Sequence, residues 1–314
     1  MLTSDTRIFA RLLLHRCFNA CMLIPMLLSA MLGLTAGTPG ATVDTAVDDR
    51  ALFQQLESAT SALAEKGEQR LTHDTRLEQC RRTMAAGLRL PSRQTTLLGG
   101  DEIYRRAAQA SVLIGSAYKC DKCTKWHNTL ASGFVISSDG VVATNHHVAA
   151  GATGEAMGVM TADGKFHQVL EVLATDKAHD VALLRIDAKD LAFLPLRDDA
   201  PAGSPIRCFS NPANTYGCIS EGIITRYFHM NELERNGAIF MQITADYARG
   251  SSGGPIIDEY GNAVGMVAST SPIFTSIPIH SAATKDAKPV APSQQMVRHN
   301  CATARAILEL THQK

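Results

Sequence analysis

The sequence has no excess of either charge: 30 Lys and Arg stand against 30 Asp and Glu, a formal net charge of +0. That balance removes the electrostatic case for a nucleic-acid or anionic-lipid partner, which needs a basic excess or patch. Eight cysteines in 314 residues are too few for a scaffold built on disulfides, yet more than a reducing compartment leads one to expect. No internal repeat of about 20–50 residues recurs, which excludes solenoids and propellers. The apolar run at residues 22–34 (MLIPMLLSAMLGL) is short beside the about 20 residues of a spanning helix, although extension back to Cys17 reaches the lower part of that range.

What is present begins with an export signal. Arg7, Arg11 and Arg16 precede the apolar run, and small residues follow it to Ala41. Residues 1–41 therefore read as a secretory signal peptide, with an uncleaved membrane anchor as the second reading. Export makes the chain periplasmic or secreted. Loss of the leader removes Cys17 and Cys21 and leaves Cys80, Cys120, Cys123, Cys208, Cys218 and Cys301, an even number in a setting that permits disulfides.

Residues 42–100 read as a helical N-terminal segment. Leu52, Leu56, Ala59 and Leu63 recur at helical spacing, as do Leu77, Cys80, Met84 and Leu88, with Gly67 between the two sets and Pro91 closing the second. After Gly99 and Gly100 the texture changes. Residues 111–118, 132–137, 141–144, 181–186, 222–227, 239–244 and 262–268 read as strands separated by turn signals. Many strands without long intervening helices predict an all-β barrel or sandwich. Residues 282–314 read as a Pro-, Ala- and Lys-bearing linker followed by a C-terminal helix over 294–310.

The chemistry concentrates in Arg249-Gly250-Ser251-Ser252-Gly253-Gly254-Pro255. A serine flanked by glycines suits an exposed nucleophile on a tight turn, because Gly250 can turn its N–H inward and Gly253 and Gly254 leave the approach to the serine open. The same residues satisfy G-x-S-x-G, the nucleophile elbow of α/β-hydrolases. Chain order separates the two. An α/β-hydrolase needs its acid and its histidine after the serine, whereas here Thr144-Asn145-His146-His147-Val148 and Asp180-Val181-Ala182-Leu183-Leu184 both precede it. His, then Asp, then Ser is the chymotrypsin order.

On these segments, together with Ala131-Ser132-Gly133-Phe134-Val135-Ile136 and the stretch around Asn211-Pro212 leading into Gly222-Ile223-Ile224, the sequence resembles trypsin-like serine peptidases, closest to the bacterial HtrA (Deg) branch, over about residues 105–272. The resemblance implies a chymotrypsin fold of two six-stranded barrels at residues 101–281, behind the helical segment, with the site in the cleft between them. It implies a serine endopeptidase with His147 as general base, Asp180 orienting it and Ser252 as nucleophile. The backbone N–H groups of Gly250 and Ser252 would form the oxyanion hole. His146 reads as structural or as a surface residue, and Asp176 competes with Asp180 from four residues upstream. Asp246, six residues before Ser252, stands where trypsin carries the acid of its primary pocket; buried there, it would favour Arg or Lys at the cleaved position. HtrA relatives more often have small or apolar residues at that place.

Two departures accompany the resemblance. Ser251 replaces the Asp that zymogens pair with a freshly cut N-terminus, and with Lys314 as the last residue no PDZ domain is expected after the protease. No cofactor and no metal are expected: Cys120 and Cys123, with His127 downstream, form a C-x-x-C that lacks a second pair for zinc and reads as a local disulfide. Cys208 and Cys218, flanking the Asn211-Pro212 turn, are the other disulfide candidates. Cys80 and Cys301 either pair or stay free. The expected partners are protein or peptide substrates and no nucleic acid, with membrane anchoring through residues 22–34 and a homo-oligomer as further options. The alternative to catalysis is a protein-binding module on the same fold.

Overall fold

The computed structural model describes residues 46–151, 154–231, 233, 235, 237–274 and 293–311. The expected leader and the linker over 282–292 lie outside them. Two helices, α1 (Asp49–Lys66) and α2 (His73–Gln79), come first. The Asp48 carboxylate accepts from the Ala51 N–H at 2.9 Å and starts α1. Leu56 on its inner face is buried against Leu113 and Met160 of the first barrel. The second helix is shorter than its apolar spacing predicts: it ends at Gln79, whose Oε1 accepts from the Val172 N–H at 2.7 Å. A third helix, α3 (Gly100–Ala110), was not expected.

The first barrel closes in the order β1 (Ser111–Lys119), β2 (Trp126–Ser137), β3 (Val141–Thr144), β6 (Val181–Ile186), β5 (Phe166–Asp176) and β4 (Ala156–Met160), which returns to β1; a short helix α4 (His146–Gly151) follows β3. The second closes in the order β10 (Pro255–Ile257), β11 (Ala263–Phe274), β12 (Gln294–Thr303), β9 (Ile239–Ile243), β8 (Cys218–His229) and β7 (Pro205–Ser210). This is the two-barrel chymotrypsin-like architecture, mostly strand with a helical segment ahead of it.

Side-chain alternation explains why the central strands are apolar without a break. Successive residues of a strand point to opposite faces, and here both faces are covered. Val135, Val142, Ala182 and Leu184 fill the first barrel. Their neighbours Phe134, Ile136, Ala143, Val181 and Leu183 face a shared core with Phe209, Ile257 and Met266 of the second. That shared core also holds Ile103 and Ala107 of α3 and, from a short helix α5 (Ala304–Glu309), Ile307. The barrels are thus fused by buried apolar surface, a rigid support for residues at their common edge.

The C-terminal expectation is corrected. Residues 294–303 form a strand, not the start of a helix, and only Ala304–Glu309 is helical. The period-two set Val297, His299 and Cys301 sits on a strand that pairs with both β11 and β9. The second barrel therefore takes in residues beyond 281.

All six described cysteines are free thiols, which corrects the disulfide expectations. Cys208 pairs across the sheet with Ser220, and Cys218 with Ser210. The two cysteines are thus diagonal neighbours, about 7–8 Å apart in such a ladder, beyond the about 4.4–6.8 Å Cα separation of a disulfide. Cys80 packs on the core of the first barrel and Cys301 in that of the second, so they do not meet. Cys120 and Cys123 hold their sulfurs 3.4 Å apart without a bond.

Candidate active site

Strand pairing brings distant residues together. β3 lies beside β6 with Thr144 opposite Ala182, so the residues leaving one strand meet the residue entering the other. The Asn145 side-chain amide donates to the Asp180 carbonyl at 2.9 Å, and the His147 backbone N–H donates to Asp180 Oδ1 at 3.0 Å. These bonds hold Asp180 at φ 59°, a left-handed conformation that Asp tolerates better than most residues. Its side chain is 2% exposed. His147 Nδ1 lies 2.8 Å from Asp180 Oδ2 and 3.1 Å from Oδ1, and His147 Nε2 lies 3.0 Å from Ser252 Oγ. Arg235, from the segment between β8 and β9, reaches over so that Nη2 stands 3.4 Å from the same Oδ2.

The serine loop is fixed by the first barrel. The Ser132 N–H donates to the Ser252 carbonyl at 2.8 Å, and Ser132 Oγ donates to the Gly250 carbonyl at 3.1 Å while accepting from Asn211 Nδ2 at 2.9 Å. Gly253 (φ 85°) has no space for a side chain: a Cβ would overlap the Ser132 carbonyl and come 2.6 Å from Thr144 Oγ1. The constraint on this glycine is therefore contact with β2, not clearance for an incoming ligand. Gly250, at φ 99° with the Asn211 carbonyl 2.7 Å from where a Cβ would be, is similarly constrained. Among the described residues, the N–H groups of Gly250 and Ser252 donate to no backbone carbonyl.

The remaining candidates separate. Asp176 does not join this group; it accepts from the His179 backbone N–H and holds His179 Nδ1 at 2.7 Å. The bond to Asp176 raises the His179 pKa, and the hydrogen bonds from His179 outweigh burial to lower that of Asp176. His146 is half-buried and held below the usual histidine range by desolvation. Asp246 lines a cavity of about 860 Å³ with Thr225, Gln242, Tyr247, Arg249 and His299, but its side chain is 92% exposed. His299 and Tyr247 are its buried members: the His299 side chain is 9% exposed, with Nε2 3.8 Å from Asp246 Oδ1 and its ring edge-on to Tyr247 at 4.6 Å. The expectation of a buried pocket carboxylate is thereby corrected. His299 was hidden because its strand reads as a helix, and Ser132 because nothing in the sequence marks a serine as the brace of a distant loop.

Comparison with known proteins shows what this geometry resembles. Residues 131–266 match the trypsin-like peptidase domain. A Pseudomonas fluorescens protein named "probable periplasmic serine endoprotease DegP-like" is 35% identical over 140 residues, 44% of this chain and 29% of that protein. The Rickettsia prowazekii protein of the same name is 31% identical over 169 residues, 51% and 32% of the two chains. A solved HtrA-type protease, AlgW with a tripeptide, superposes with a TM-score of 0.50 at 25% identity, covering 68% of this chain and 62% of that one. Over residues 131–266 the chain is similar to trypsin-like peptidase domains, and the proteins that it resembles there include HtrA-type proteases. Its match spans about a third of the length of those two curated relatives. Among the described residues, no helix is long and apolar enough to cross a membrane.

Proposed function

We propose that the protein is an exported serine endopeptidase that cuts protein or peptide substrates through an acyl-enzyme. The observation that carries this reading is the unbroken chain Asp180 Oδ2, His147 Nδ1, His147 Nε2, Ser252 Oγ, with links of 2.8 and 3.0 Å. Ser252 Oγ attacks the scissile carbonyl carbon as its proton passes to His147 Nε2. Asp180, kept on Nδ1–H by its second bond to the His147 backbone, fixes the tautomer and stabilises the imidazolium. The N–H groups of Gly250 and Ser252 receive the tetrahedral oxyanion, each contributing roughly 3 kcal/mol to the transition state. His147 then protonates the leaving amine, and water repeats the sequence on the acyl group.

The cavity beside residues 246–249 serves as the primary side-chain pocket. With Asp246 at its open rim, a charge there contributes about 1 kcal/mol or less to selection of Arg or Lys, and the polar groups of Gln242, Thr225 and His299 set the preference instead. The periplasmic names of the relatives and the leader together support an exported site of action. Profiling a peptide library tests the reading. Cleavage at internal bonds, lost in Ser252→Ala, is expected; cleavage that persists in Ser252→Ala, or none under any condition, contradicts it.

A further inference from the structure

The loop joining β1 to β2 brings three soft donors together far from the serine in sequence. The hairpin ladder runs through Tyr118 opposite His127 and Lys119 opposite Trp126, leaving residues 120–125 as the loop. Cys120 Sγ and Cys123 Sγ are 3.4 Å apart, and His127 Nε2 lies 3.2 Å from the first and 3.0 Å from the second. These are the only His, Cys, Asp or Glu side chains among the described residues that converge as a candidate metal group.

We propose that Cys120, Cys123 and His127 bind one zinc ion, with the fourth tetrahedral position open to water. Zinc bonds of about 2.3 Å to sulfur and about 2.0 Å to imidazole nitrogen set donor separations of about 3.5–3.8 Å in a tetrahedron. The three atoms need only spread by a few tenths of an ångström, which surface side chains on a short loop can do. The donor set fits the metal: two thiolates and a neutral imidazole are a known type of zinc coordination, and soft sulfur ligands disfavour magnesium and calcium. Binding replaces two S–H protons by two Zn–S bonds and releases both protons to solvent, so the ion and its two thiolates are neutral together. That neutrality matters beside Lys119, Lys122 and Lys125. His127 is oriented by its place in β2 and by its ring 5.5 Å from that of Tyr118. The sequence pattern alone argued against zinc because a second cysteine pair is lacking; the hairpin register supplies the third donor.

Cobalt(II) substitution reads the site directly, since thiolate ligation gives a charge-transfer band and tetrahedral geometry gives intense visible d–d bands. Reduced, metal-free full-length protein titrated with Co²⁺ is expected to saturate at one equivalent with both features. Zinc should then displace cobalt and abolish them. Cys120→Ser and Cys123→Ser should each lose the charge-transfer intensity, and His127→Ala should lose the tetrahedral bands. Ser252→Ala and Cys218→Ser should keep both. Bands unchanged in Cys120→Ser, or no bands at any cobalt concentration, would overturn the proposal. So would a Cys120–Cys123 disulfide in all the protein recovered from its exporting cell.

Discussion

Replacing Asp180 by Asn isolates the part of the site that acts through hydrogen-bond direction alone. The two side chains have nearly the same shape, and Asn also tolerates the φ of 59° at this position, so the backbone need not move. The carboxylate accepts twice: Oδ1 from the His147 backbone N–H at 3.0 Å, and Oδ2 from Nδ1 at 2.8 Å. An amide has one acceptor. Holding its oxygen on the fixed backbone N–H turns its NH₂ toward Nδ1, which must then carry the lone pair. The proton moves to Nε2 and faces Ser252 Oγ, where it blocks proton acceptance. The opposite orientation sets NH₂ against a backbone N–H at a cost of about 1–3 kcal/mol. Arg235, 3.4 Å from Oδ2, loses its carboxylate in either orientation, and its long side chain can withdraw where the backbone cannot. The expected loss is about 10⁴-fold in kcat, as for a tautomer error in a Ser-His-Asp template, or about 5.5 kcal/mol at 1.36 per decade. KM and the urea midpoint should stay near the parent's. Steady-state hydrolysis of the best library peptide measures this; a kcat within tenfold of the parent refutes the hydrogen-bond argument.

Further perturbations probe neighbouring links. Gly253→Ala should destabilise by about 2–4 kcal/mol, from a left-handed φ and overlap with the Ser132 carbonyl; urea unfolding reads it, and an unchanged midpoint would contradict the packing. Asp246→Ala should change the ratio of Arg or Lys cleavage to other cleavage by less than about tenfold, because the carboxylate is exposed; a larger change would restore it as the specificity acid. The Asp176–His179 pair stabilises in a window. The raised His179 pKa contributes below the unfolded histidine value of about 6.5 and fades as pH rises through the folded value. The lowered Asp176 pKa contributes above about 3.9 and fades as pH falls through its folded value. Asp176→Asn should therefore cost more stability at pH 5 than at pH 8 in thermal melts, and the reverse order would contradict the pairing. In metal-free folded protein, Cys120, lowered to about 7, should be alkylated first at pH 7.5, and Cys208, pushed up to about 12 by burial, last; peptide mapping of the labelled sites reads that order.

Much of this site could be read from the chain because its residues sit where strands end. β3 and β6 occupy the expected 141–144 and 181–186, and their pairing brings His147 to Asp180. β3 and β6 are rich in apolar and β-branched residues and are legible as strands, whereas the equally buried β4 (AMGVM) and β10 (PII) are too short or too poor in β-branched residues to read as strands. β5 and β12 mix polar with apolar residues, β12 passing from an exposed first half to a buried second, and neither these nor β7 carry a clear period-two pattern of apolar residues. The terminal strand mattered most: reading 294–303 as a helix hid His299, a buried histidine that lines the pocket beside Tyr247. The disulfide expectation for Cys208 and Cys218 failed on register, a two-residue offset that loop length cannot reveal.

The central claim is that Ser252 is a nucleophile activated by His147. Treatment with a fluorophosphonate, followed by tandem mass spectrometry, tests it most directly. The account predicts a covalent adduct on Ser252 and on no other serine, absent in His147→Ala. An adduct on another residue, or equal labelling of Ser252 without His147, would contradict it.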